Sequence, residues 1–212
     1  MKTSILKLMV ASLLFFVATA GAASDDKPPC CREPLVSGPA TDKSLYQLDS
    51  VWTSDVGKEV KLGVLRGRPQ VLALFFTSCE FACPIIVQDM KSIQEALPVE
   101  LRKQVDFVLV TMDCERDSPA VLREYRRRQN LGTDHWTLLR GAPDDVRELA
   151  ALLGVNYQKD ARGQFSHSNV ITVLNAEGEI VFRQTGLSQP PAGAVRQISH
   201  AVATVDGKGK PR

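Results

Sequence analysis

The 212-residue chain is short of the features that mark several large protein classes. It has no basic block: 26 Lys and Arg face 24 Asp and Glu, a formal charge of +2. That excess is too small to neutralise a run of phosphates, so no nucleic-acid partner is expected. It has no internal repeat, and its 14 Gly, 12 Pro and 24% charged residues exclude a collagen-like, disordered or coiled-coil chain. Five cysteines are an odd number and too few for a disulfide scaffold of this length. There are only three histidines. What is present is the composition of one globular domain, 44% hydrophobic, in which the cysteines are placed for chemistry rather than for stapling.

Residues 1–23 read as a secretory signal. Lys2 and Lys7 open it, Leu8 to Ala20 is apolar, and Ala20-Gly21-Ala22 offers small residues for cleavage. The apolar run falls short of the roughly 20 residues that a spanning helix needs, although an uncleaved anchor is the alternative. Export is the expectation, to the periplasm or its equivalent, where disulfides form and persist. Membrane association is expected only if this segment is retained. Loss of residues 1–22 leaves 24 residues of each charge sign. Residues 24–43, rich in Pro, Asp, Lys and Ser, read as a flexible linker that carries Cys30-Cys31. Pro29 before Cys30 does not suit a lipid-acceptor cysteine.

The remainder, 44–206, alternates strands and helices, with 207–212 as a tail. Tyr46 to Leu62 is expected to form a β-hairpin around Asp55-Val56-Gly57-Lys58. Gln70 to Thr77 and Val105 to Met112 are apolar runs of strand length, as for strands buried on both faces. Helices are expected from Ile85 to Leu97, from Ser118-Pro119 to Gln129, from Pro143 to Gly154 and from Pro191 to Val205. Trp136 to Leu139, Asn169 to Leu174 and Glu179 to Arg183 complete the strands. This order implies an α/β fold with a central mixed sheet flanked by helices. A cysteine pair at a strand-to-helix corner is the outline of the thioredoxin fold, by analogy.

Cys79 and Cys83 stand four residues apart at that corner. If the helix begins near Cys79, both sulfurs share one face and the helix dipole favours thiolate. An i, i+4 pair has Cα atoms about 6 Å apart, within reach of a disulfide. Two thiolates also suit Cu(I), zinc or an iron–sulfur cluster. A third ligand decides. His167 precedes the strand Asn169–Leu174 and reaches the cysteine corner if that strand runs antiparallel to Gln70–Thr77. Two thiolates and one imidazole suit copper in either oxidation state. Zinc wants a fourth ligand or an open water position. His135 reads as structural and His200 as a solvated surface residue. The three-residue spacer and the lack of any proline between Pro143 and Pro190 depart from a thioredoxin-type oxidoreductase, which has a proline about where His167 stands.

Three segments in order, Phe75–Pro84 (FFTSCEFACP), Val110–Pro119 (VTMDCERDSP) and His167-Ser168, resemble the Sco/SenC family of copper-binding, thioredoxin-like proteins over about Tyr46 to Val205. The resemblance implies that Cys79, Cys83 and His167 bind one copper ion. It implies a metallochaperone that delivers copper to, or reduces the cysteines of, the binuclear copper site of cytochrome c oxidase. The implied partners are that oxidase subunit and other copper chaperones or thiol reductases. The alternatives are a thiol–disulfide oxidoreductase cycling Cys79 and Cys83, and a copper or redox sensor. Two departures stand out. Ser166 occupies the place where the family often has Asp, and Cys114 replaces a proline, either as a small buried filler or as a third thiol. Asp113 and Asp117 read as loop-shaping caps.

Overall fold

The computed structural model describes residues 29–32, 40–161, 163 and 165–208. The signal segment and most of the linker lie outside them. Strands β1 (Trp52–Ser54) and β2 (Glu59–Val60) form the expected hairpin, with Gly57 at φ +83° in its turn. β3 (Gln70–Phe75) leads into helix α1 (Ala82–Ala96), followed by the one-turn α2 (Val99–Arg102). Next come β4 (Asp106–Thr111), α3 (Pro119–Arg128), β5 (Trp136–Arg140) and α4 (Pro143–Leu153). β6 (Tyr157–Lys159) and β7 (Phe165–His167) precede β8 (Val170–Leu174), β9 (Ile180–Thr185) and α5 (Ala192–Lys208).

Seven strands make one mixed sheet in the order β2-β1-β5-β4-β3-β8-β9. β3 and β4 run side by side in parallel, and β8 runs antiparallel to β3. β3 and β4 are therefore covered by a strand on each side and by packed side chains on each face. All six residues of each are buried, which is why their sequences show no polar alternation. Val71, Phe75, Phe107, Leu109 and Met90 are among the core residues withdrawn from water, each stabilising the fold by about 1.5–3 kcal/mol. The one polar side chain at the start of β3, Gln70, donates from Nε2 to the Leu65 and Arg68 carbonyls at 3.0 and 3.1 Å.

Local signals set the helix ends. The Ser118 hydroxyl accepts from the Val121 amide and Pro119 occupies the first helical position. Gly154 ends α4 at φ +73°, a conformation that costs glycine little. Two expected boundaries move. α5 continues to Lys208, past the expected start of the tail, and α1 starts at Ala82, so Cys79 lies in the loop before the helix. Two features were not anticipated. β6 and β7 form a separate two-stranded sheet whose short, polar strands lack the apolar signal of the main sheet. The linker is not free throughout: Pro29–Cys31 forms a 3-10 turn with Cys30 fully buried. Its proline-rich composition hid one apolar anchor.

Candidate metal centre

β3 carries the chain to the edge of the core and releases it at Phe76. Asp117, only 1% exposed, closes the following loop from beneath. Its carboxylate accepts from the Thr77 amide at 3.0 Å, from the Thr77 hydroxyl at 2.5 Å and from the Thr111 hydroxyl. The end of β3, the end of β4 and the start of α3 are thereby tied at one point. Asp113 is held by Arg116 and offers its carbonyl to the Asp117 amide. Both acids shape the loop, as expected, but Asp117 also supports the cysteine loop. Nothing in its sequence position beyond the Asp-Ser-Pro segment signals that reach.

The loop returns the cysteines to one place. The Cys83 amide, in the first turn of α1, donates to the Cys79 sulfur at 3.3 Å. Cys79 thus sits where a side-chain cap would sit and accepts from an amide that has no partner within the helix. Cys79 is half-buried and Cys83 fully buried. Burial pushes the Cys83 thiol pKa well up, with the neighbouring Cys79 adding to the rise and a backbone hydrogen bond at Phe76 opposing it. The shift runs opposite to the lowering expected from a helix N-terminus, with desolvation of the charged form as its largest cause.

His167 arrives on β7. Because β8 runs antiparallel to β3, the residues just before β8 lie at the sheet end where β3 stops. The imidazole Nε2 is 3.8 Å from the Cys83 sulfur, and Nδ1 lies 3.1 Å from the Ser168 carbonyl. A carbonyl accepts only, so Nδ1 carries the proton and Nε2 presents its lone pair to the sulfurs. This backbone oxygen orients the ring, the task that a preceding Asp would otherwise serve, and Ser166 is exposed. Burial lowers the His167 pKa, with the Ser168 carbonyl opposing, so the ring is neutral at pH 7. Phe76 meets it edge-on at 6.0 Å and stacks obliquely on Phe165 at 5.2 Å.

The two sulfurs and one ring nitrogen all lie within 4.8 Å of one another, the only such convergence of three or more Cys, His, Asp or Glu ligand atoms among the described residues. Cys79 and His167 line an open cleft of about 530 Å³ walled by Phe76, Phe81, Phe165 and Asn169, with Cys83 buried behind them. Phe81 is 82% exposed, an unusual placement for a large apolar ring. Two further ties hold the hairpin over the site. Arg116 Nη2 donates to the Gly163 carbonyl at 2.6 Å, and Lys159 pairs with Glu115 at 2.6 Å. The hairpin and its ties escaped the sequence reading, since three-residue polar strands carry no periodicity.

The remaining candidates lie elsewhere. Cys114 is buried outside the cluster, with its carbonyl taken by Arg140 at 2.5 Å. His135 Nδ1 is 3.0 Å from Asp106 Oδ1, a structural contact, and His200 is exposed on α5. All five cysteines are unpaired thiols.

The chain is similar to known proteins over this same region. A homologue of SCO1 from Bacillus subtilis is 25% identical over 138 residues, 64% of this chain and 71% of that protein. The structure of Bradyrhizobium japonicum ScoI with copper bound superposes at a TM-score of 0.60, with 22% identity, over 72% of this chain and 96% of that one. BsSco is a member of the Sco family of cytochrome c oxidase assembly proteins in which a disulfide switch was identified. It superposes at 0.63, with 24% identity, over 72% of this chain and 91% of its own. The fold is thus the thioredoxin-like fold of Sco proteins. The SCO1/SenC sequence profile matches residues 40–203, from ahead of the first hairpin into the last helix, and the chain belongs to the SCO1/SenC family.

Proposed function

We propose that Cys79, Cys83 and His167 hold one copper ion, and that the chain works outside the cytoplasm in assembly of the binuclear copper site of cytochrome c oxidase. The observation that carries this reading is the convergence of two sulfurs and Nε2 within 4.8 Å. Thiolate sulfur suits Cu(I) and imidazole serves both oxidation states, so the donor set fits copper better than zinc, which finds no fourth protein ligand among the described residues. A bound cation would reverse the electrostatics that keep the buried Cys83 protonated, and its binding releases the thiol protons. The half-buried Cys79 is the sulfur an acceptor could reach first. The exposed Phe81 beside it offers apolar surface for a protein acceptor such as the oxidase copper subunit.

A second reading rests on the same pair. The sulfurs are close enough, with the Cys79 sulfur accepting from the Cys83 amide at 3.3 Å, for a dithiol–disulfide cycle that would prepare the acceptor's cysteines or sense redox state. One variant separates the two. In His167→Ala, tight Cu(II) binding is lost while disulfide cycling of Cys79 and Cys83 persists. Retention of Cu(II) affinity by that variant would remove the three-ligand reading. Recovery of the protein in the cytoplasmic fraction of its own cell would remove the exported role.

A further inference from the structure

Cys30 and Cys31 have no part in that centre. The lateral separation follows from the sheet. Cys30 lies beside Ser54, at the end of β1. β5 and β4 lie between β1 and β3, which places β1 about 14 Å from β3 at ordinary strand spacing. The turn Pro29–Cys31 packs against β5 and the 3-10 turn Leu62–Leu65. Arg32 anchors its far side by donating from Nη1 to Asp106 Oδ1 at 3.1 Å, with both side chains buried, and to the Asp134 carbonyl. The two thiols are therefore fixed on a scaffold: Cys30 fully buried, Cys31 half-buried, their sulfurs 3.7 Å apart.

That pair is poorly placed to become a disulfide. Adjacent Cα atoms stand about 3.8 Å apart across a trans peptide, below the range of about 4.4–6.8 Å that disulfides span. A disulfide between them would therefore be strained and more easily reduced. The same sulfur separation suits a chelate: two thiolates about 2.3 Å from one ion at a tetrahedral angle are about 3.8 Å apart. Opening that angle to linear asks the sulfurs to separate by about 0.9 Å more on the same bond length, a motion that the half-buried Cys31 can supply. Among the described residues no third Cys, His, Asp or Glu ligand atom converges on the pair. Zinc, which wants four ligands, is therefore disfavoured, and a soft ion content with two thiolates is favoured.

We propose that Cys30 and Cys31 form a second, dithiolate site for monovalent copper, separate from Cys79, Cys83 and His167. Binding converts two thiols and one Cu(I) into a bis-thiolate complex with release of two protons, and no electron is transferred. The site does not depend on the first one.

Anaerobic titration of the reduced protein with Cu(I), against a chromophoric Cu(I) chelator, tests it. The expected stoichiometry is two ions per chain, falling to one in the Cys79→Ala/Cys83→Ala/His167→Ala variant. Adding Cys31→Ser to that variant removes the last ion. Cys31 is chosen because Cys30 is packed in the core, and an unchanged circular dichroism spectrum certifies the fold. X-ray absorption of the triple variant should give two sulfur neighbours and no nitrogen. One ion in the wild type and none in the triple variant overturns the second site and leaves the first. One ion in both, lost with Cys31→Ser, upholds the second and removes the first. An ion in the triple variant that is indifferent to Cys31→Ser, as if held by Cys114, overturns the proposal.

Discussion

The cysteine corner and the histidine hairpin supply ligand atoms to one site but are built in opposite ways. The corner hangs from β3, buried on both faces, and is pinned by the three hydrogen bonds to Asp117. The hairpin is two three-residue strands outside the main sheet. It is held by aromatic contacts of Phe165 with Phe76 and Tyr157, a cation over the Phe165 ring, one ion pair and one arginine–carbonyl bond. Buried strands resist opening, while half-exposed hairpins with few apolar contacts open at low free energy. The sulfurs are thus expected to be the fixed side of the centre and the imidazole the movable side.

Breaking the corner should have the largest effect. Asp117→Ala removes an acceptor from three donors and leaves the part-buried Thr77 amide without one. We expect a loss of about 3 kcal/mol, read as a midpoint fall of about 10 °C in thermal unfolding, with the dithiol site disordered. His167→Ala should separate the two halves cleanly. Cu(II) affinity falls at least about 100-fold, roughly 2.7 kcal/mol, while thermal stability changes little because the ring is only partly buried. Phe165→Ala sits between them. Loss of a half-buried ring should cost about 1–2 kcal/mol and lower Cu(II) affinity about tenfold by loosening the hairpin, with Cu(I) binding by the sulfurs less affected. Equal losses for both ions would refute the fixed-and-movable division.

Two gentler perturbations sharpen it. Burial lowers the His167 pKa, so the unfolded chain takes the proton first. Stability of the metal-free protein falls as pH drops below the ordinary histidine value near 6.5, and His167→Ala flattens that limb of a stability–pH curve. Burial raises the Cys83 pKa, so the sign reverses: stability is held below the ordinary thiol value of 9.0 and lost as pH rises above it. Cys83→Ser should make that second limb shallower without removing it, because burial also raises the Cys30 and Cys114 thiols. The smallest effect belongs to Lys159→Ala. Its pair with Glu115 is exposed and screened by salt, so the unfolding midpoint should not move, but amide exchange in β6 and β7 should quicken at low ionic strength.

The main sheet was legible because burial on both faces writes itself as continuous apolar runs, as in Gln70–Phe75 and Asp106–Thr111. Helix ends were legible at Ser118-Pro119 and Gly154 because those residues act locally. The hairpin was not, since the pairing of Tyr157 with His167 joins two three-residue strands too short to show a period. The burial of Cys30 was hidden for a related reason: an apolar anchor one residue long leaves no pattern among prolines and charges.

By itself the sequence determined the candidate donors, the strand-to-helix corner that carries two of them, and the family to which the chain is similar, because these depend on residue type and short spacing. Only the tertiary structure decided that Nε2 rather than Nδ1 faces the sulfurs, that burial raises the Cys83 pKa, and that Asp117 supports the loop from 34 residues beyond Cys83. Those outcomes turn on desolvation and on hydrogen bonds between distant segments, and both exist only once the chain has closed around them.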